Sequence, residues 1–164
     1  MARNILILSL TRMGDLIQTT PLIQGLKEQY PDAKITLMVS SDFKDVVSLI
    51  PGVDDSIVFN LRQFKESNGW EDESWVKIYR HIESELNTVR DYGYDLLVNL
   101  SHSRFSALMV HYLKVENVIG FHCSSTGDRL TGHPWMQYFG TEPFNRNFNE
   151  FNLVEIFSRS ADID

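Results

Sequence analysis

The chain has 164 residues, 43% hydrophobic and 23% charged, the profile of one globular domain with a core of ordinary size. A formal net charge of -7 argues against general nucleic-acid binding, because phosphate backbones are held by clustered Lys and Arg. The early apolar run Ile5 to Leu8 is far short of the roughly 18 residues of a spanning helix, no basic leader precedes it, and a lone Cys123 allows no intrachain disulfide, so a cytoplasmic protein is expected.

Ile5 to Leu10 is nearly continuous in apolar residues, which predicts a strand buried on both faces, as in a parallel sheet covered by helices. Helical spacing follows from Leu16 through Ile17, Leu22, Ile23 and Leu26, ending before Pro31. Pro21 interrupts that pattern, so either a kink or a second helix start capped by Thr20 is expected. A strand over Lys34 to Val39 comes next, then a helix over Asp42 to Ile50 capped by Ser40 or Ser41, a Pro51-Gly52 turn and a strand over Ser56 to Phe59.

The polar stretch from Leu61 to Glu73 reads as an exposed loop held down by Trp70 and Trp75. Beyond it an amphipathic helix is predicted from about Ser74 to Arg90, with Val76, Tyr79, Ile82, Leu86 and Val89 on one face and Tyr92-Gly93-Tyr94 as its stop. A strand over Leu96 to Leu100, a helix over Ser103 to Leu113 and a strand over Asn117 to Phe121 complete the alternation. The expected fold is α/β, a mainly parallel sheet in strand order 3-2-1-4-5 between two helical layers, with a crevice beside the first and fourth strands. Residues 122–147 carry no assignable pattern. Helical spacing resumes through Phe151, Val154, Ile156 and Phe157, and Phe148, Phe151, Val154 and Phe157 are expected to form an apolar patch left exposed for a missing continuation.

The chemistry of the chain centres on Thr11-Arg12-Met13-Gly14-Asp15, which lies beyond the carboxyl end of the first strand, where open α/β sheets bind their ligands. Two compatible roles are open for Asp15: capping the following helix, and catalysis from the crevice. Gly14 would let a ligand approach closely or simply serve the loop. The segment has neither G-x-G-x-x-G nor a P-loop, which removes most support for a nicotinamide dehydrogenase. His102, Ser103 and Arg104 follow the fourth strand and would face the same crevice, offering a basic contact, or else are surface loop residues.

Three weaker signals are set aside. The sequon Asn99-Leu100-Ser101 lies in a strand expected to be buried, Asp162-Ile163-Asp164 sits at the chain end, and His122 and Cys123 point to opposite faces of an extended segment. No histidine or cysteine spacing suits a metal site, so neither metal nor cofactor is expected.

The stretches ILILSLTRMGDLIQTTPLIQGLKEQYPDAKITLMV, PGVDDSIVF, YDLLVNLSHSRFSALMVHYL and VIGF together resemble the amino-terminal half of the ADP-heptose:lipopolysaccharide heptosyltransferases, glycosyltransferase family 9. The resemblance covers most of residues 4–121, and its specific part is S-x-x-x-x-G-D-x-x-x-T-x-P. It implies a GT-B enzyme with two Rossmann-like domains across a cleft. Residues 1–145 would form the acceptor-binding domain and residues 146–164 the start of an interdomain helix or linker, with the domain that binds the ADP-sugar donor absent.

The family acid falls on Asp15, which would be the general base of an inverting, metal-independent transfer to a lipopolysaccharide core or related glycan. Thr11, Arg12, Gly14, His102, Ser103 and Arg104 would contact that acceptor. The fragment alone would be inactive, and the enzyme would work at the inner face of the inner membrane, touching it through the acceptor. The alternative is a non-enzymatic nucleotide-binding or regulatory module on a flavodoxin-like sheet.

Overall fold

The computed structural model describes residues 3–60, 72–141 and 150–163, and gives no side-chain placement for 72–75 and 141. The expected loop with Trp70, the side chain of Trp75, and Phe148 and Asp164 lie outside what is described. The chain forms β1 (Asn4–Ser9), α1 (Met13–Ile17), α2 (Thr20–Gln29), β2 (Lys34–Ser40), a 3-10 helix (Ser41–Leu49) and β3 (Asp55–Phe59). It continues with α3 (Asp72–Asp91), β4 (Leu96–Asn99), α4 (Arg104–Leu113), β5 (Asn117–Cys123), β6 (Arg129–Thr131), α5 (Pro134–Thr141) and α6 (Leu153–Ser160).

The sheet order is β3-β2-β1-β4-β5-β6. The first five strands are parallel, in the order expected, and β6 runs antiparallel against β5. Strand β1 explains the layering. Its side chains alternate across the sheet, so Ile5 and Ile7 join Leu22, Ile23 and Leu26 of α2 with Ile156 and Phe157 of α6, while Leu6 and Leu8 join Leu86 and Val89 of α3 with Met109, Val110 and Leu113 of α4. Each such side chain, fully removed from water, contributes about 1.5–3 kcal/mol.

Pro21 marks a second helix start, but the residue before that helix is Thr19 rather than Thr20. Proline has no N–H for the carbonyl four residues back, that of Ile17, and the Thr20 hydroxyl supplies the bond at 2.8 Å. The Thr19 hydroxyl does the same for Leu16 at 2.7 Å, so the two threonines join α1 to α2 instead of capping α2. The helix expected over Asp42 to Ile50 is a 3-10 helix, with Ser40 as the residue whose side chain accepts from the Asp42 N–H. No residue in it is fully buried, so packing does not demand an α-helical stripe.

Two expectations about apolar faces are corrected. On α3 only the later turns are covered: Leu86 and Val89 are buried, whereas Val76 and Tyr79 are exposed, because α4 packs beside α3 and its buried residues meet that end. The patch expected around α6 is exposed only in part: Phe151 is exposed and Val154 half-buried, but Phe157 is turned inward. Ile156 and Phe157 are fully buried in the chain's own core, and Phe151 packs edge-on against Trp135 at 5.0 Å. The α6 helix begins with a complete capping box between Asn152 and Glu155 and packs on α2 and α5.

Candidate active site

The chain runs outward from β1 through β2 to β3, then returns by α3 to β4 on the other side of β1. The carboxyl ends of β1 and β4 therefore flank the point where the strand order reverses, which opens a crevice there. A buried polar network holds the two loops at that point together. The Leu10 N–H donates to Ser101 Oγ at 2.8 Å, and the Ser101 N–H donates to Asn99 Oδ1 at 3.0 Å. Asn99 Nδ2 donates to the Phe121 carbonyl at 2.6 Å, and Ser106 Oγ donates to the Ser101 carbonyl at 2.9 Å. Asn99, Ser101 and Ser106 are completely buried, so each group needs these partners.

This network was not anticipated, although polar residues at the end of an apolar strand were its visible signal. Burial also closes the glycosylation reading of Asn99. Gly120 belongs to the same construction: its φ is +96°, and a Cβ there would collide with the Asn99 carbonyl.

On this support stand the residues of the first loop. Thr11, Arg12 and Gly14 are exposed, and a Cβ added to Gly14 would meet nothing within 4 Å, so the backbone at that point is open to a ligand. Asp15 is half-buried, and among the described residues no hydrogen bond or ion pair engages its carboxylate. The capping role considered for it is corrected. Asp15 is the third residue of α1, the residue before that helix is Arg12, and no side chain caps it. Asp15 acts on α1 only as an acid in the first turn, favourably placed toward the positive end of the peptide dipoles.

The second loop differs from what was expected of it. His102 is not a basic contact. Its ring lies between those of Phe121 and Phe139, each at 3.8 Å between centroids, and burial first, then the nearby Arg129 cation, push its pKa down to about 3. The imidazole is therefore neutral at physiological pH. Ser103 precedes α4 and its Oγ accepts from the Ser106 N–H at 2.9 Å, so it serves as that helix's cap. Arg104 is the first residue of α4 and is exposed.

Residues 122–147, unassigned from sequence, bring a further group to this edge. Strand β6 pairs Arg129 with Cys123, beyond the carboxyl end of β4, and the turn between the strands is closed by Ser124, Thr126 and Asp128 around Gly127. The Thr126-Gly127-Asp128 sequence was the available signal for this hairpin. Among the described residues no group of His, Cys, Asp and Glu is arranged to hold a metal ion, and no helix is long and apolar enough to cross a membrane.

A pocket of about 230 Å³ opens at the opposite edge of the sheet, lined by Arg3, Leu26, Tyr30, Asp95, Asn117 and Asp162 among others. Its polar groups are largely engaged: Asp95 accepts the Asn4 N–H at 2.8 Å, Asn117 donates to the Asp95 carbonyl at 3.0 Å, and Arg3 stacks on Tyr30 at 4.3 Å. It lies at the amino ends of the strands, away from the crevice.

No family model matches the chain. Lipopolysaccharide heptosyltransferase 3 of Escherichia coli is 30% identical over 103 residues, 63% of this chain and 28% of the enzyme. The enzyme of that name from strain K12 is 32% identical over 100 residues, 61% of this chain and 26% of the enzyme. The matched stretch thus spans between a quarter and a third of each relative's length.

Among solved structures, a glycosyl transferase family 9 protein from Veillonella parvula superposes with a TM-score of 0.66 at 16% identity, over 98% of this chain and 41% of its own. The E. coli heptosyltransferase WaaC with ADP gives 0.64 at 18% identity, over 98% and 48%. The six-stranded, mainly parallel α/β sheet is the fold these glycosyltransferases share with the chain.

Proposed function

From the premise that the chain is related in sequence to the lipopolysaccharide heptosyltransferases and shares the fold of family 9 glycosyltransferases, we propose that it is the acceptor-binding amino-terminal domain of an inverting glycosyltransferase. In this reading the enzyme moves heptose from ADP-heptose to the lipopolysaccharide inner core. The donor is held by a further domain across the crevice. Residues 1–145 form the acceptor domain, and α6 closes it at the start of the connection. The enzyme works in the cytoplasm, at the inner face of the inner membrane, where a lipid-linked acceptor is presented.

The observation that carries the reading is Asp15: a half-buried carboxylate beyond the carboxyl end of β1, without a hydrogen-bond partner among the described residues, on a backbone anchored through Leu10 and Ser101. As the acceptor hydroxyl oxygen attacks the anomeric carbon, a carboxylate oxygen of Asp15 takes the hydroxyl proton. The bond from that carbon to the ADP oxygen breaks, and its electron pair leaves on the diphosphate. One displacement inverts the anomeric centre. A fixed base is effective here because its orientation is established before the reaction begins. Thr11, Arg12, Gly14 and Arg104, all exposed, line the acceptor side, and the Ser103 hydroxyl stands beside them.

The test is Asp15→Asn in the complete transferase, with turnover and melting temperature measured on one preparation. Turnover should fall by about 10²- to 10⁴-fold, equivalent to roughly 3 to 5 kcal/mol, because an amide cannot accept the proton. Affinity for the ADP-sugar should stay unchanged. Retention of more than about a tenth of wild-type turnover would overturn the reading.

A further inference from the structure

Arg129 is exposed, and no carboxylate of the described residues pairs with it. The neighbouring acid, Asp128, is engaged by the Thr126 hydroxyl at 2.6 Å and belongs to the turn. The Arg129 guanidinium is nevertheless held in place. Its carbon lies 4.1 Å from the centre of the Phe121 ring, and Nη2 is 3.3 Å from His102 Nδ1.

A guanidinium offers only donors, so His102 Nδ1 accepts and the imidazole proton resides on Nε2. Nε2 is buried and has no hydrogen-bond partner among the described residues, which leaves the ring only one polar contact, the one to Arg129. The ring itself cannot swing away, being enclosed by Phe121 and Phe139, and Phe139 in turn packs on buried Phe157 of α6 at 5.7 Å. Arg129 is thereby fixed by one aromatic face and one acceptor, neither of which neutralises its charge.

Its position is informative as well. Arg129 opens β6 and sits against Cys123 at the carboxyl end of β5, on the same sheet edge as Asp15; β6 is three strands from β1, about 14 Å at ordinary strand spacing, and the Arg129 side chain reaches back over Phe121 of β5 toward His102. We propose that His102 is a positioning residue that holds Arg129 at the rim of the crevice, and that Arg129 binds an anionic group of the acceptor, a phosphate or a carboxylate. An arginine pre-oriented in this way presents its remaining N–H groups as a fork suited to either oxyanion. The acceptor assignment rests on the function proposed above; the anion site itself does not.

The test needs no turnover. Inorganic phosphate and, separately, acetate are titrated into the chain labelled with ¹⁵N at arginine and histidine, and the Arg129 guanidinium and His102 ring resonances are followed. Phosphate should shift Arg129, and a response to acetate in place of phosphate would assign the site to carboxylates.

Arg129→Ala should abolish saturable binding. His102→Leu should weaken it about ten-fold, a loss typical of a disordered charge-assisted contact, and His102→Gln, whose amide oxygen can accept from Arg129, should restore most of it. Asp15→Asn should leave it unchanged. Melting temperatures establish that each variant is folded. The proposal is overturned if neither anion shifts Arg129, if His102→Leu binds as the unsubstituted chain does, or if His102→Gln is as weak as His102→Leu. Each of these outcomes is independent of whether Asp15 is the base, so the two ideas fail separately.

Discussion

After β1, Thr11, Arg12, Met13 and Gly14 are exposed, and Asp15 has no hydrogen-bond partner among the described residues; from the last residue of β4 onward, Asn99, Ser101 and Ser106 are wholly buried and bonded to one another, to Leu10 and to Phe121. The two segments leave neighbouring strands at the same edge, yet one keeps its polar groups for something outside the chain and the other consumes them inside it. The difference assigns their roles. A carboxylate with no internal partner is free to act on a ligand, but it is useful only if its backbone does not move. The second segment supplies that rigidity, since an unsatisfied group in a dry site costs more than the bond itself is worth.

The comparison predicts a ranked set of effects. The largest belongs to the open segment and is kinetic: Asp15→Asn should remove roughly 3 to 5 kcal/mol of transition-state stabilisation while costing under about 1 kcal/mol of stability, since only a first-turn charge is lost from the fold. A melting temperature that falls in proportion to turnover would contradict the contrast between the segments.

Next is Asn99→Ala, which strands the Phe121 carbonyl and the Ser101 N–H in the interior and should destabilise the chain by about 2–4 kcal/mol. Urea unfolding of this variant with a midpoint equal to wild type would refute the proposed function of the network.

Ser101→Ala should cost somewhat less, about 1–3 kcal/mol, because it orphans the single N–H of Leu10. Its particular signature should be faster amide hydrogen exchange at Leu10 and along the β1–α1 loop, while exchange in β2 and β5 stays near that of wild type. Uniform acceleration over the whole sheet would mean that Ser101 stabilises the fold without selectively fixing that loop.

A smaller effect is set by pH. Unfolded His102 takes up a proton near pH 6.5, whereas the folded residue does so only near 3. Between those values the unfolded chain binds more protons, so stability falls as the pH falls through that window, and His102 adds no pH dependence above it. Between pH 7 and pH 5 the melting temperature of wild type should therefore drop more than that of His102→Gln; parallel curves would show that the ring is not held neutral. Smallest of all, Arg104→Ala should change stability by less than about 0.5 kcal/mol, its side chain being exposed.

Reading the chain as a sequence reached the parallel sheet and the position of Asp15 at the end of β1 from local signals, and the 3-2-1-4-5 order from the few arrangements open to a chain that alternates strand and helix. An unbroken apolar run such as Ile5 to Leu8 is compatible with few surroundings besides two covered faces, and the carboxyl end of such a strand is where ligand chemistry collects. A cap at Ser40 or Ser41 was visible for the same reason, since a cap bonds to an N–H two or three residues away, and the structure selects Ser40.

The misreadings share a cause too. Whether Phe157 faces solvent or core depends on α2 and α5, which are distant in sequence, and a helical stripe records only that some partner exists. The histidine after β4 reads as a basic group until the fold encloses it between Phe121 and Phe139 and brings Arg129 to its ring, and only that assembly makes it neutral. The burial of Asn99 and Ser101 was legible from the strand they close, but the network they form was not, because the partners that satisfy them come from the end of β1, α4 and β5. Periodicity specifies which faces are buried, and the packing of distant elements decides which polar groups remain available for chemistry.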